Sequence, residues 1–264
     1  MSALTPSQVL PDIPAPCLAA LGAVVGLVIG SFVTNTAVRS TRGEANHLGR
    51  SVCDHCRTPL RWSETIPMVS LLIQGGRCRT CRAQIDPIHF WGEFAGAGVL
   101  GLSASLLPLP QALAVGLLGF ALLALSLIDI QTFRLPNPLV FMVLVFSGLL
   151  SVVRGEGLTS LLWAAGVFIV LKALQFILQK RSGVAALGEG DIKLMSALAL
   201  WLGSSVAYAF TLASLGALVF IVLTRRRGRI PFGPFIAAGA FVVGVVIEAP
   251  ILHGLALETL GGVQ

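Results

Sequence analysis

The chain has 264 residues, of which 55% are hydrophobic and only 11% are charged, and its mean hydropathy is +0.88. Soluble domains carry about 25% charged residues, so this composition excludes an ordinary soluble protein and indicates an integral membrane protein. The net charge of +6 does not indicate nucleic-acid binding. Its basic residues lie beside apolar segments, which is the pattern of membrane topology.

Eight apolar segments are predicted to cross the bilayer, whose hydrocarbon core needs about 20 residues, or somewhat fewer inside a bundle. The chain is therefore predicted to be an all-α polytopic membrane protein with about eight transmembrane helices. Gly203 is a thin divider between the sixth and the seventh segment, so six or seven helices are alternatives. The segments are Leu18–Val38, Glu93–Leu107, Gln111–Ile128, Pro138–Val153, Leu158–Leu178, Ile192–Leu202, Ser204–Leu223 and Phe232–Leu252.

The distribution of basic residues predicts the orientation. All but two of the 18 Lys and Arg residues fall on one side if the N-terminus is outside, and the positive side is the cytoplasm. We expect an N-terminal transmembrane helix at 1–38, a polar cytoplasmic insert at 39–90 and a second membrane region at 91–264. Glycines at 22, 26 and 30, and at 92 and 96, predict close packing of helix backbones.

The insert contains two Cys-x-x-Cys pairs, Cys53 with Cys56 and Cys78 with Cys81, separated by residues 57–77. Two such turns can bring four thiolates together around a structural Zn²⁺. Two disulfides or four free thiols are the alternatives, although stable disulfides are rare in the cytoplasm. His55 or His47 is an alternative ligand in place of one cysteine. The sequence thus predicts a small zinc-ribbon-like insert between the first two helices.

Two aspartates lie where membrane segments meet loops on the predicted cytoplasmic side. Asp129 ends the third segment, and Asp191 follows Gly188 and Gly190 just before the sixth. Ionisable groups at such positions are costly and indicate function. Two close carboxylates share a proton, so one can activate water while the other polarises a carbonyl group. Alternatively, Asp191 caps a helix and Asp129 is an ordinary polar helix end.

These features resemble the type IV prepilin peptidases, membrane aspartyl proteases of the GxGD type, over almost the whole chain. The resemblance rests on Gly30-Ser-Phe32, the cysteine insert with Trp62 and Glu93, Asp129 with Leu135-Pro136, Gly188-x-Gly190-Asp191-Ile-Lys193, and Pro231-Phe-Gly-Pro-Phe235.

The resemblance implies that Asp129 and Asp191 are the catalytic pair and that 91–264 is a transmembrane aspartyl peptidase core. It implies cleavage of the basic leader of prepilins or pseudopilins in the bacterial inner membrane, which makes those proteins and the lipid bilayer the partners. It also implies N-methylation of the new N-terminus with S-adenosylmethionine. Supporting roles are expected for Gly188, Gly190, Lys193 and Glu93. Glu93 is expected to bind a leader or cofactor amine, or to cap a helix.

Two departures from the family pattern fall in the N-terminal half, on which the methyltransferase expectation depends. Thr34 stands where the family typically has Asn, and Ile88-His-Phe-Trp-Gly92 replaces an Arg-Tyr-Pro-x-Val run. A peptidase without methyltransferase activity is therefore an alternative. An ion-coupled transporter with the two aspartates as proton carriers is another, as is a zinc-bearing scaffold. The transporter would place its acids near the midplane with repeat symmetry, and no repeat is evident.

Overall fold

The computed structural model describes residues 14–44, 50–182, 187–225 and 228–249. Within these ranges the regular elements are helices, together with two isolated β-bridges in the insert. The predicted all-α fold is therefore confirmed. The α-helices are α1 (Ala15–Thr41), α2 (Val69–Ile73), α3 (Pro87–Leu106), α4 (Leu109–Thr132), α5 (Asn137–Val153), α6 (Gly157–Ser182), α7 (Glu189–Leu202), α8 (Val206–Thr224) and α9 (Gly233–Glu248).

All of these helices except the five-residue α2 correspond to the eight predicted segments. Four stretches are long and apolar enough to cross a bilayer by length and composition: Ala15–Thr41, Leu109–Thr132, Gly157–Arg181 and Glu189–Thr224. The last of these is broken by a 3-10 turn, Gly203–Ser205, that starts at the positive φ of Gly203. The predicted divider is thus present. The predicted end of the last segment lies beyond residue 249, outside the described residues.

The polar insert is shorter than the predicted 39–90, because both neighbouring helices extend into it. Helix α1 continues to Thr41, and α3 begins at Pro87 instead of Glu93. The side chain of Asp86 accepts a hydrogen bond from the N–H of Ile88 at 2.9 Å. An aspartate at the N-cap followed by proline in the first helical position favours a helix start here, so α3 begins well over one turn before Glu93.

The chain divides into two compact units, one ending at Gly116 and the other beginning at Leu117. In the first unit, α1 and α3 pack with their backbones in contact. A Cβ atom on Gly22 would lie 2.7 Å from the carbonyl oxygen of Leu100, and one on Gly30 would lie 2.8 Å from that of Gly92. Side chains at these positions would force the helices apart, which confirms the close packing predicted from the glycine spacing.

In the second unit, contacts between helix ends establish how the helices run. Leu135, after α4, contacts Gly190 in α7, and Gly233 at the start of α9 bonds to Asp129 in α4. Lys193 of α7 bonds to Asn137, the first residue of α5. The end of α4 and the beginnings of α5, α7 and α9 therefore meet; we call this the aspartate end.

The opposite ends of α5, α7 and α9 are joined by a partly buried polar cluster. Arg154, which follows α5, donates to Glu248 Oε1 at 2.9 Å and to the carbonyl oxygen of Trp201. The indole N–H of Trp201 donates to the same Glu248 oxygen at 3.0 Å. Trp201 is fully buried. Charges that are partly withdrawn from solvent need such partners, and these bonds hold the three helix ends together.

Candidate active site and metal centre

Asp129 lies in the last turn of α4 and is 5% exposed. Its Oδ2 accepts a hydrogen bond from the backbone N–H of Gly233 at 2.9 Å. The preceding residues are apolar and mostly buried, so the carboxylate ends a helix face that packs inside the unit. Burial together with an oriented backbone donor gives this carboxylate a defined position, unlike that of a polar helix end facing solvent.

Asp191 is the third residue of α7, whose N-cap is Gly188. The alternative that Asp191 itself caps the helix is therefore wrong. The carboxylate folds back over Gly188, where a Cβ atom would lie 2.9 Å from Asp191 Oδ2. Among the described residues, no hydrogen bond joins the carboxylates of Asp129 and Asp191. The arrangement brings both acids to one end of the unit.

The two glycines of the Gly188-x-Gly190-Asp191 motif serve close contacts within the chain. Gly188 has ordinary torsions, φ −70° and ψ 140°, and Gly190 is not among the residues with positive φ. These glycines therefore do not supply unusual torsions. A Cβ on Gly190 would lie 2.9 Å from Leu135 Cβ. The glycine thus lets the Leu135-Pro136 segment pack on the turn that carries Asp191.

Two lysines hold the turn from outside the pair. Lys193 is exposed and donates to Asn137 Oδ1 at 3.1 Å, so its bond is not to Asp191. Lys172 of α6 donates to both carboxylate oxygens of Glu189, at 2.6 and 2.7 Å. Gln175, one turn after Lys172, donates to the carbonyl oxygen of Leu187 at 2.9 Å. Glu189 is therefore part of a polar clasp on the turn, a feature that the sequence analysis did not identify.

The four cysteines of the insert form one group whose sulfur atoms lie within 4.8 Å of one another. This cluster could hold a metal ion. The Sγ atoms of Cys53 and Cys81 are 3.8 Å apart, and a tetrahedral Zn²⁺ with bonds of about 2.3 Å holds its sulfurs about 3.8 Å apart. His55 does not belong to this group, and His47 lies outside the described residues. No disulfide joins any two of these four cysteines.

The two knuckles repeat one backbone geometry. The N–H of Cys53 bonds to Thr58 O at 3.0 Å, and that of Cys78 bonds to Ala83 O at 2.8 Å. In each knuckle the arginine after the second cysteine has a positive φ, 57° at Arg57 and 61° at Arg82.

The pKa values of the thiols are shifted in different directions by their surroundings. Backbone N–H groups of Cys81 and Thr80 lower the pKa of Cys78, and the hydroxyl of Thr58 lowers that of Cys56 to about 6. Burial raises the pKa of Cys53 to about 11, against which a metal ion would have to act.

The knuckles are tied to the ends of α1 and α3. Asp54 pairs with Arg42 after α1 and with His89 Nε2 in α3, the latter at 3.5 Å. These partners, His89 first, hold the pKa of Asp54 far below its usual range. Glu93 of α3 is 9% exposed and accepts from Ser31 Oγ at 2.8 Å and from the N–H of Met68 at 2.7 Å. It therefore links α1, α3 and the insert.

A cleft of about 430 Å³ lies between the second half of α1, the start of α3 and the insert. Its walls combine apolar side chains such as Val28, Phe32 and Leu60 with the charged groups of Arg39 and Glu93. Pockets of about 300–1,000 Å³ with mostly apolar walls and a few polar groups are typical of small-molecule sites. The cleft thus has the size and the lining of a ligand site.

The fold and these two centres define a class of polytopic membrane protein that has a cysteine insert and two aspartates, from different helices, at one end of a helical unit. Residues 24–106 match the family model of the bacterial peptidase A24 N-terminal domain, and residues 116–223 match that of the type IV leader peptidase family. The chain belongs to the type IV leader peptidase family. No solved structure matches the chain.

Several relatives are named prepilin leader peptidase/N-methyltransferase. The protein of Aeromonas hydrophila is 35% identical over 205 residues, which cover 73% of this chain and 70% of the relative. That of Pseudomonas aeruginosa is 32% identical over 254 residues, 83% of this chain and 87% of the relative. That of Burkholderia pseudomallei strain K96243 is 37% identical over 202 residues, 72% of this chain. The chain spans 65% of the length of this Burkholderia relative.

Proposed function

We propose that the protein cleaves the short leader peptide of type IV prepilins or pseudopilins with Asp129 and Asp191. The observation that supports the proposal is that both residues belong to the aspartate end of one helical unit, each with its carboxylate against a glycine that leaves room for it. The family of the chain and the names of its relatives support the same activity. The substrates would be pilin-like helices in the bilayer, with their basic leaders at the aspartate end.

The chemistry follows from a pair in which one acid is ionised and the other protonated. The ionised carboxylate takes a proton from a water molecule, whose oxygen attacks the carbonyl carbon of the scissile peptide bond. The protonated carboxyl group gives its proton to the carbonyl oxygen. When the tetrahedral intermediate collapses, the C–N bond breaks, the leaving amine takes a proton from the protonated member of the pair, and one hydroxyl group of the intermediate returns a proton to the other carboxylate. Water is thereby split between the two new ends.

Single substitutions test the pair. Asp129→Asn and Asp191→Asn should each abolish leader removal from a prepilin in membranes, because neither amide can exchange the required proton. Both variants should insert and be recovered in the same amount as the wild type. Robust cleavage by either variant would disprove the assignment.

We propose as a second activity that the protein methylates the N-terminus exposed by cleavage, with S-adenosylmethionine as the methyl donor. The donor supplies an electrophilic methyl group on a sulfonium. The cleft beside the insert fits such a molecule in volume, and Arg39 and Glu93 offer charges of both signs for its amino-acid end. These residues would bind and orient it, while Val28 and Phe32 would cover its apolar parts.

Labelled donor distinguishes this activity from the alternative of a peptidase alone. Purified protein is incubated with a prepilin and methyl-labelled S-adenosylmethionine, and label on the mature N-terminus is expected. Cleavage without label would select the peptidase without methyltransferase activity.

We propose that Cys53, Cys56, Cys78 and Cys81 bind a structural zinc ion. The common distance between their sulfurs and the repeated knuckle geometry support this ligand set. Metal analysis of the purified protein should find about one zinc per chain. An active protein without metal would refute the proposal.

We also propose a place and an orientation: the bacterial inner membrane, with the N-terminus outside and the insert and the aspartate end in the cytoplasm. The positions of the basic residues support it. The domains would be 1–38, 39–90 and 91–264. A cysteine introduced at Glu156 should react with an impermeant thiol reagent from the periplasm, whereas one introduced at Arg134 should not. The opposite labelling would reverse the orientation.

A further inference from the structure

The first turn of α9 presents a backbone donor to Asp129. The first four N–H groups of a helix lack partners in the preceding turn. In α9, Pro234 has no N–H, and the next two N–H groups bond back to the carbonyl oxygen of Phe232. The N–H of Gly233 thus remains as the free donor of this described turn, and it bonds to Asp129 Oδ2 at 2.9 Å.

The same contact explains why residue 233 has no side chain. A Cβ atom there would lie 2.8 Å from Asp129 Oδ2 and 3.2 Å from both Cβ and Cγ of Asp129. Contacts below 3.0 Å do not occur for real Cβ atoms, so any other residue would displace either the carboxylate or α9. Because Asp129 is buried, it has little room to move in response.

We propose that Gly233 is a positioning residue of the peptidase, an inference that rests on the proposed function of Asp129. The Gly233 N–H fixes Oδ2, whereas Oδ1 has no hydrogen bond within the described part of the chain and is the oxygen left for water. Pro234 contributes by removing a second donor that would compete at the same turn. A backbone donor needs no reorganisation during the reaction, and small misplacements of a catalytic group cost up to about a hundredfold in rate.

An added methyl group tests the contact. Gly233→Ala should lower kcat for leader cleavage by about a hundredfold with KM unchanged within twofold, because substrate binding does not depend on the carboxylate's orientation. Gly148→Ala is the matched control, since a Cβ there meets no atom within 4 Å. It should retain wild-type kcat. Wild-type kcat in Gly233→Ala would overturn the proposal.

Replacing the backbone N–H of residue 233 tests the hydrogen bond to Asp129 without changing the packing of side chains around it. Replacing Gly233 by glycolic acid through nonsense suppression turns its N–H into an ester oxygen and adds no bulk. Loss of a hydrogen bond to a charged group should lower kcat by roughly 10- to 100-fold, again with KM unchanged. This variant remains informative if Gly233→Ala does not accumulate. An ester variant with wild-type kcat would refute the donor role.

Different results would contradict the proposed function and the proposed role of Gly233. If Asp129→Asn still cleaves, the proposed function is wrong. If Asp129→Asn is inactive while the ester variant is fully active, only the role of Gly233 is wrong. Equal losses in Gly233→Ala and Gly148→Ala would also count against it, because they would indicate a general effect of bulk in the membrane helices.

Discussion

The cysteine insert and the aspartate end bring their functional groups together in different ways. The four cysteines come from two short turns that repeat the same hydrogen bonds, with Arg57 and Arg82 in the same left-handed conformation. The two aspartates come from different helices and are positioned by contacts with Gly188 and Gly233.

This difference has a consequence for what each centre tolerates. A metal ion supplies the binding energy that holds a polar insert with little hydrophobic core, so its loss should affect the whole insert. The aspartate end depends on the absence of side chains at a few positions, so added atoms should be more harmful than lost ones. Changes in the insert should mainly alter methyl transfer, and changes at the aspartate end should mainly alter cleavage.

Among changes that keep both aspartates, the largest effect is expected for Cys78→Ser. A lost ligand should reduce the zinc content from about one per chain to almost none, because structural sites need their full ligand set. Methyl transfer should fall by at least about a hundredfold as the insert unfolds, while leader cleavage falls much less. Metal analysis measures the loss of zinc, and the rate of proteolysis at the arginines of the insert measures its unfolding. Cys17→Ser is the control, and equal loss of both activities would contradict the separation.

At the aspartate end, Gly190→Ala should lower kcat for cleavage by about 30-fold, because its methyl group would overlap Leu135 and shift the turn with Asp191. A double-mutant cycle with Leu135→Gly, which removes the opposing Cβ, should restore part of the loss. Gly166→Ala is the control, since its Cβ meets no atom within 4 Å. Additive losses in the cycle would show that the contact is not the cause.

In α3, next to the insert, Glu93→Ala should reduce methyl transfer about tenfold. The substitution leaves the hydroxyl of Ser31 and the N–H of Met68 without their acceptor, a loss of about 1–3 kcal/mol for buried groups. Met68 has a positive φ of 61°, so its turn needs this support. Cleavage should stay within about twofold, as should both activities of Glu156→Ala. Normal methyl transfer by Glu93→Ala would show that Glu93 is not needed for the proposed binding of the methyl donor in the cleft.

The smallest effect is expected at the clasp. Glu189→Gln should change cleavage only about twofold, because the ion pair with Lys172 is largely exposed and such pairs contribute little. Exchanging the charges in a Lys172→Glu, Glu189→Lys double variant should return the rate to that of the wild type. A loss above about tenfold in Glu189→Gln would show that the clasp positions Asp191 directly.

The features that could be predicted from the sequence are those that depend on the spacing of nearby residues or on the length of apolar segments. The eight apolar segments appear as helices, and the two knuckles bring the cysteines together. The common location of the aspartates followed from topology alone. The Gly233 contact could not be predicted, because it joins α4 to α9 through a backbone atom; the Pro231–Phe235 segment was noted, but only as a family motif.

Two other contacts had a signal in the sequence that was not used. Lys172 lies within a predicted apolar segment, and a charge at such a position usually has a partner, which here is Glu189. Thr34 and Gly92 were treated as separate departures from the family pattern. They are in contact, since a Cβ on Gly92 would overlap Thr34 Oγ1. The absence of a side chain at Gly92 thus leaves room for Thr34, a contact between two helices that a single sequence does not reveal.

Helix α9 is attached at both of its ends. At its start, Gly233 bonds to Asp129, and at its last residue, Glu248 bonds to Arg154 and to the indole of Trp201. Sliding α9 along its axis by even a fraction of a turn would break both attachments at once. Any opening of the aspartate end to admit an extended chain must therefore come from rotation or from displacement of other helices. The two attachments fix the axial position of α9, and the axial position of α9 in turn determines where Gly233 holds Asp129.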